Sequence, residues 1–489
     1  MSPYQEIVLM PATTSPDAHY ISGLTDDKHE VDRALEVARR ASGVVLYFHG
    51  GLSSENYMES TLGPWLLDSI FQDTNLGGAG GLHPIFVNYD AGPFDWEKIR
   101  RFLQELIVKR IVKALIGRFQ CEQVKQLVNT DGDNDAAWAE AGRGILMISG
   151  MRFSDEQIGY LLGDEEAQRE LQGKIEKADA EIAGIARDIE QFAEEKGAAS
   201  ADIGVFKPAK FIVRVAARFA LGTRHQIEPT IMEEFLREMS FLGLAELAQN
   251  HWKIVYENTE KCWIPNNNGQ RLIAALAQLR TERGGQFPIH VVSHSAGAIA
   301  IAYLVAYLAR NNGPKLDNII MLVPAVNLKL FAETIVAFSH TYTNFRAFVL
   351  KREKEESDNL ASIVYPASLL YFVSGVAENA GFGDRMLPIE QHLRRRKPYV
   401  SDWYKSMFGG VQGEYEKVWD FFDGDGRLIY CPNLVGDSGR KNDGSSHSNT
   451  KYPWITRELA KSVLYLLTGS LVNNGNLPRP TKPPGAPSA

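Results

Sequence analysis

Cysteine is scarce in this chain: Cys121, Cys262 and Cys431 are three among 489 residues, and no two form a C-x-x-C pair. That spacing excludes a disulfide-stapled scaffold and a cysteine-rich zinc site, and it suits a reducing, cytoplasmic compartment in which thiols stay idle. Long apolar runs are missing too. Nothing approaches the roughly 20 residues of a bilayer-crossing helix, so no membrane span is expected. The opening residues, M-S-P-Y-Q-E-I-V-L-M, lack the basic start and apolar core of a secretory signal. Positive charge is in deficit, with 52 Lys and Arg against 60 Asp and Glu for a net charge of −8. With no zinc-knuckle, RNA-recognition or helix-turn-helix pattern present, nucleic acid is not an expected partner. Asp131 to Asp135 (D-G-D-N-D) opens like a calcium loop, but Arg143 stands where the closing glutamate is needed. No metal or organic cofactor is called for.

What is present is the makeup of a folded enzyme-sized protein: 44% hydrophobic residues, 23% charged and 18 Tyr. The length exceeds a single core. Strand-like runs at Gln5–Met10, Val44–Phe48 and Pro84–Tyr89, with an amphipathic helix over Val31–Arg40, alternate as a parallel sheet flanked by helices requires. From Phe94 to about Arg283 helical periodicity replaces them; strands resume at Ile289 and continue at Asn318–Val323, Asn344–Leu350 and Arg427–Cys431. The expected division is an α/β core over 1–95 and 284–476, a helical insertion over 96–283, and a Pro- and Gly-rich disordered tail over 477–489.

The stretch I-H-V-V-S-H-S-A-G, Ile289 to Gly297, runs an apolar strand straight into a serine flanked by small residues. A nucleophile on so sharp a turn needs small neighbours two positions before and after it, here Ser293 and Gly297. The helix that follows, beginning Ala298-Ile299-Ala300-Ile301-Ala302, would point its N-terminal amides back at Ser295. Upstream, the apolar run Val44–Phe48 ends in His49-Gly50-Gly51-Leu52. Glycines there allow a backbone N–H to come within about 3 Å of a developing oxyanion.

Together S-H-S-A-G resembles the nucleophile elbow G-x-S-x-G of the α/β-hydrolase superfamily, particularly its lipases and esterases, with Ser293 replacing the first glycine, and H-G-G resembles the oxyanion motif of lipases. The resemblance implies a mostly parallel central sheet flanked by helices, a large helical cap in the insertion, and Ser295 as nucleophile. The Ala296 amide and that of Gly51 or Leu52 would form the oxyanion hole.

The chain order this fold implies places an acid and then a histidine after Ser295, leaving His340, His392 and His447 as bases. His340 closes an expected helix, Leu328–Phe338, and comes too early. His392, in Q-H-L-R-R-R-K, reads as a helical, solvated position. His447, in the loop G-S-S-H-S-N after the final strand, is the favoured base. The acid should follow the strand Asn344–Leu350, where Glu353, Glu355, Glu356 and Asp358 lie. Asp358 is favoured as the shortest side chain near the expected helix Ser368–Glu378; Glu355, Glu378 and Asp384 are the alternatives.

Within the insertion, Leu171, Ile175, Ala178, Ile182, Ile185, Ile189 and Phe192 alternate spacings of four and three, the seam of a coiled-coil-like arm near 164–197. That arm packs inside a compact cap or makes a homodimer. Lys98–Arg118 and Lys207–Arg218 are basic amphipathic helices, which either solvate a cap face or lie on an anionic membrane as a peripheral contact. Arg394–Lys397 could meet an acidic headgroup.

The function expected from the resemblance is hydrolysis of carboxylic esters, of lipid or acyl type, through an acyl-enzyme. A thioesterase or amidase would use the same triad. A non-catalytic interaction scaffold on this fold would be expected to have lost a triad member.

Overall fold

The protein is seen here as a computed structural model, described for residues 19–51, 58–59, 63–66, 81–91, 243–358, 367–378, 385–393, 413–423, 426–444 and 457–469, for most of 211–239, and for single positions 184, 187, 191 and 365. Among these residues seven strands form one sheet: β1 (Tyr20–Ser22), β2 (Gly43–Phe48), β3 (Leu82–Asn88), β4 (Ile289–His294), β5 (Leu316–Leu322), β6 (Tyr342–Leu350) and β7 (Leu428–Cys431). Their order is β1-β3-β2-β4-β5-β6-β7, and every pairing is parallel. This is an α/β architecture.

The strand sequences explain why. β2, G-V-V-L-Y-F, is buried at every position, as are β3 and β4. Strands with helices on both faces read as continuous apolar runs, and parallel connections put helices on both faces. Successive side chains alternate between two cores: Val44, Leu46 and Phe48 join one, and Val45 and Tyr47 the other.

The first core is covered by α1 (Lys28–Ala38), α2 (Ile227–Glu238), α3 (Leu244–Lys261), α4 (Asn268–Glu282) and α5 (Gly297–Asn311). Asp27 caps α1 by accepting from the His29 amide at 2.9 Å. α4, late in the expected insertion, packs on α1 and β1 within the sheet's own helical layer. The second core is covered by α6 (Arg457–Thr468), through Leu459, Ala460, Val463, Leu464 and Leu467. Its first amides, those of Glu458 and Leu459, donate to the Asp443 carboxylate at 3.1 and 3.3 Å.

The chain leaves β2 for β3 on one side and later enters β4 on the other. In an open parallel sheet, such a reversal opens a crevice at the carboxyl ends of the two central strands. Here those ends are Phe48 and His294, the residues leading into His49-Gly50-Gly51 and Ser295.

Several expectations change. β1 lies at Tyr20–Ser22, while Gln5–Met10 falls outside the described residues. The helices expected over Leu328–Phe338 and Ser368–Glu378 each begin as one α-turn, Leu328–Phe331 and Leu369–Phe372. Each then widens to a π-turn, Ala332–Val336 and Val373–Ala377. Such π-turns are unusual and gather at functional places. Among the described residues no helix is long and apolar enough to cross a membrane.

Candidate active site

Ser295 is the only residue from Ile289 to Ala302 that is not buried. Its backbone is left-handed, φ 52°, a conformation costing a non-glycine residue about 1–2 kcal/mol. The turn is braced on both sides: the Ser295 amide donates to Leu322 O at 3.0 Å, and the Ala325 amide donates to Ser295 O at 2.9 Å. α5 starts immediately behind it at Gly297.

The H-G-G loop lies directly over this turn. A Cβ on Gly50 would stand 3.2 Å from Ser295 Cβ and 2.9 Å from His294 Nδ1, and one on Gly51 would stand 3.1 Å from Ala296 Cβ. A Cβ on Gly297 would be 2.4 Å from Phe48 O and 2.7 Å from His49 O, so only glycine lets the helix start beneath the end of β2. Tyr89 fixes the loop from the far side. Its hydroxyl donates to His49 O at 2.6 Å and its ring stacks on the His49 imidazole at 4.3 Å. Gly51, Ser295 and Ala296, expected to act together, are therefore neighbours. Leu52 lies outside the described residues.

α3 contributes the adjoining wall, with Trp252 and Val255 facing Gly51. Glu378 stands behind it, accepting from Trp252 Nε1 and from the Tyr256 hydroxyl, both at 2.8 Å on one oxygen. Asn327 Nδ2 donates to the same Tyr256 hydroxyl at 2.8 Å. From α2, Arg237 donates to Gly375 O at 2.6 Å and Glu378 O at 3.0 Å. The Glu378 carboxylate thus fastens α3, and the backbone carbonyls of Gly375 and Glu378 fasten α2, to the segment Val373–Glu378.

Of the other expected acids, Glu355 and Asp358 both lie just beyond β6, on or next to the short helix Arg352–Ser357. Glu355 is fully buried, and no hydrogen bond of ordinary geometry reaches either of its oxygens. Burial pushes its carboxyl up to about 8; the Ser368 hydroxyl pulls it partly back, and Asp358 pushes it further up. Asp358 is half-buried at the helix end, with its amide donating to Lys354 O at 3.0 Å. Asp384 and His447 lie outside the described residues. Among the described residues no side chain hydrogen-bonds the Ser295 hydroxyl.

His392 is not solvated: it is buried, and its Nδ1 accepts from the Met386 amide at 3.0 Å. The apolar residues around it outweighed the cations that follow it in sequence.

The basic stretch Lys207–Arg218 also turns inward where it is described. Phe211, Ile212 and Val215 belong to the core, and Arg218 is fully buried with its Nη1 2.5 Å from Glu233. Arg214 pairs with Glu234 at 2.6 Å. Burial alone would raise the Glu233 pKa, but charged His225 and Arg218 outweigh it and hold the carboxyl below its ordinary range. Tyr365 also donates to Glu233, and His225 lies 2.7 Å from it and stacks on Tyr371. These two arginines therefore answer acids inside the protein. Lys98–Arg118, Arg394–Lys397 and every seam position of the expected arm lie outside the described residues.

Sequence reasoning missed Val323. It follows β5, is fully buried, and holds φ 40°. A β-branched residue in that region is a genuine outlier. The available signal was the pair Val323-Pro324 closing a strand, since a residue before proline is already restricted.

Compared with protein-family models, with curated proteins and with solved structures, the chain has no match. Its chemistry therefore rests on its own residues.

Proposed function

We propose that this protein is a serine hydrolase of α/β-hydrolase type that cleaves carboxylic esters, of lipid or acyl class, with Ser295 as nucleophile. The observation that carries the reading is the left-handed Ser295, the one accessible residue of its turn, set beneath the close approach of Gly50 and Gly51. Strained backbone of this kind persists where the surroundings over-determine it, and active sites are where it gathers.

In the proposed reaction the Ser295 hydroxyl attacks the ester carbonyl while His447 takes its proton. The amides of Ala296 and of Gly51 or Leu52 receive the negative charge on the carbonyl oxygen, an interaction worth about 3 kcal/mol per donor. His447 returns the proton to the leaving alcohol, then activates water to release the acid from the acyl-enzyme. Asp358 orients the imidazole. It is preferred to Glu355 because a carboxyl that burial keeps protonated near neutrality cannot balance an imidazolium. Asp443, four residues before His447 in sequence, accepts from the first amides of α6. The helices between β3 and β4 serve as the cap, tied down through Glu378. A lipid surface would be met through Lys98–Arg118.

A fluorophosphonate probe should label the full-length protein, and Ser295→Ala should abolish labelling without changing its unfolding temperature. Well-folded wild-type protein that takes no label would end the proposal in favour of a scaffold role. Matched ester, thioester and amide substrates then separate the esterase from a thioesterase or amidase.

A further inference from the structure

Arg346 carries two guanidinium nitrogens, Nε and Nη1, that no hydrogen bond from the described residues answers. It lies within β6, on the face shared by Phe348 and Leu350 and covered by α6. Its Nε and Nη1 are sealed from solvent, and neither donates a hydrogen bond. An arginine offers five N–H donors in a fixed fork, so leaving this end of the fork dry and unpaired costs free energy that folding rarely tolerates.

A second cation stands beside it. The Arg440 guanidinium rests against Gly426, where a Cβ would lie 2.8 Å from its Cζ. The next residue, Arg427, accepts from the Ala347 amide at 2.7 Å, so Arg440 is held alongside the strand pair that bears Arg346. Arg427 directs its own guanidinium elsewhere, donating to Phe421 O at 2.9 Å and lying 4.5 Å over the Phe421 ring. Among the described residues one carboxylate faces the group: Asp437, 3.1 Å from Arg440 Nε and mostly exposed. Burial and the Arg440 charge both push the Arg346 pKa down, and Asp437 only partly opposes them. Among the described residues, two guanidiniums against one carboxylate leave a local positive excess with unused donors, and Arg440 is exposed enough to admit a ligand from solvent.

We propose that Arg346 and Arg440 form a binding site for a phosphate group on the α6 face of β6 and β7, separate from Ser295 and independent of its chemistry. A phosphate oxygen pair matches the planar fork of a guanidinium, and a dianion between two arginines removes both the unpaired donors and the like-charge repulsion. The ligand is either free phosphate or a phosphomonoester.

The test is calorimetric titration of the full chain with inorganic phosphate and with glycerol phosphate, at ionic strength matched with chloride. Saturable one-site binding is expected. Arg346→Gln and the surface change Arg440→Gln should each weaken it about tenfold or more, and Asp437→Asn should tighten it. Inorganic phosphate binding as well as the ester would mark a free-ion site; tighter binding of the ester would mark a phosphorylated metabolite or headgroup. If the wild-type protein shows no saturation, or Arg440→Gln and Arg346→Gln bind like wild type, the site takes an adventitious ion only and the proposal is overturned.

Discussion

Ser295 and Val323 occupy the same register step on adjacent strands, one past the pair His294 and Leu322, and both are left-handed, at φ 52° and 40°. They are mechanically joined. The amide of Ser295 donates to the carbonyl just before Val323, the Val323 amide donates to Phe348 O at 2.7 Å, and the Ala325 amide returns to Ser295 O. Strain at Ser295 is thus held by strain in the loop that braces it.

That strain inverts the usual ranking of glycine and alanine at this position. Val323→Gly should be more stable than Val323→Ala by about 1 kcal/mol, although glycine ordinarily costs more. Urea unfolding of the two variants decides it. Both should lose fluorophosphonate reactivity relative to wild type, because the brace on Ser295 loosens.

The close approach at Gly51 predicts a different signature. Gly51→Ala puts a methyl 3.1 Å from Ala296 Cβ, so the loop must retreat by a few tenths of an ångström. Labelling or ester turnover should fall by up to ~10²-fold with unfolding nearly unchanged. Gly297→Ala, by contrast, drives its methyl into the Phe48 and His49 carbonyl oxygens and should cost about 2–3 kcal/mol of stability.

Glu355 makes the pH dependence specific. Its folded pKa, about 8, exceeds the ordinary carboxylate value of 4.5, so the folded state holds the proton more tightly than the unfolded chain. The stability this contributes is full below the ordinary value and is lost as pH rises to about 8 and beyond. Glu355→Gln, neutral at every pH, should match wild type at pH 4 and exceed it by about 2–5 kcal/mol at pH 9. Denaturation curves at the two extremes would show a constant gap if Glu355 is not the cause. Under the proposed triad, the same variant should keep wild-type fluorophosphonate labelling near neutrality, whereas Asp358→Asn should lose most of it.

The buried Arg218 offers a fourth measurement. Arg218→Met leaves Glu233 with less of its countercharge in a dry site and should destabilise by about 3–5 kcal/mol. Exchanging Arg218 and Glu233 together for apolar residues of similar size should recover much of that loss, which a double-mutant cycle would register.

By itself the sequence determined the parallel sheet and the identity of its turning points. Six of the strands, β2 to β7, could be read as apolar runs or from their flanking turns, because a strand buried on both faces has no polar face to conceal it. Ser295 and Gly51 were legible for a related reason: a sharp turn and a close backbone approach each demand a particular small residue, and that demand is local. Tertiary structure decided what depends on distant partners. The inward turn of Arg214 and Arg218 required acids on α2, the buried His392 required neighbours its own segment does not supply, and Glu355 became the unlikely carrier of charge only once packing sealed it. The left-handed Val323 is the clearest case, since no local preference favours it; its own amide donating to Phe348 O, and the flanking bonds from the Ser295 amide to Leu322 O and the Ala325 amide to Ser295 O, hold it there.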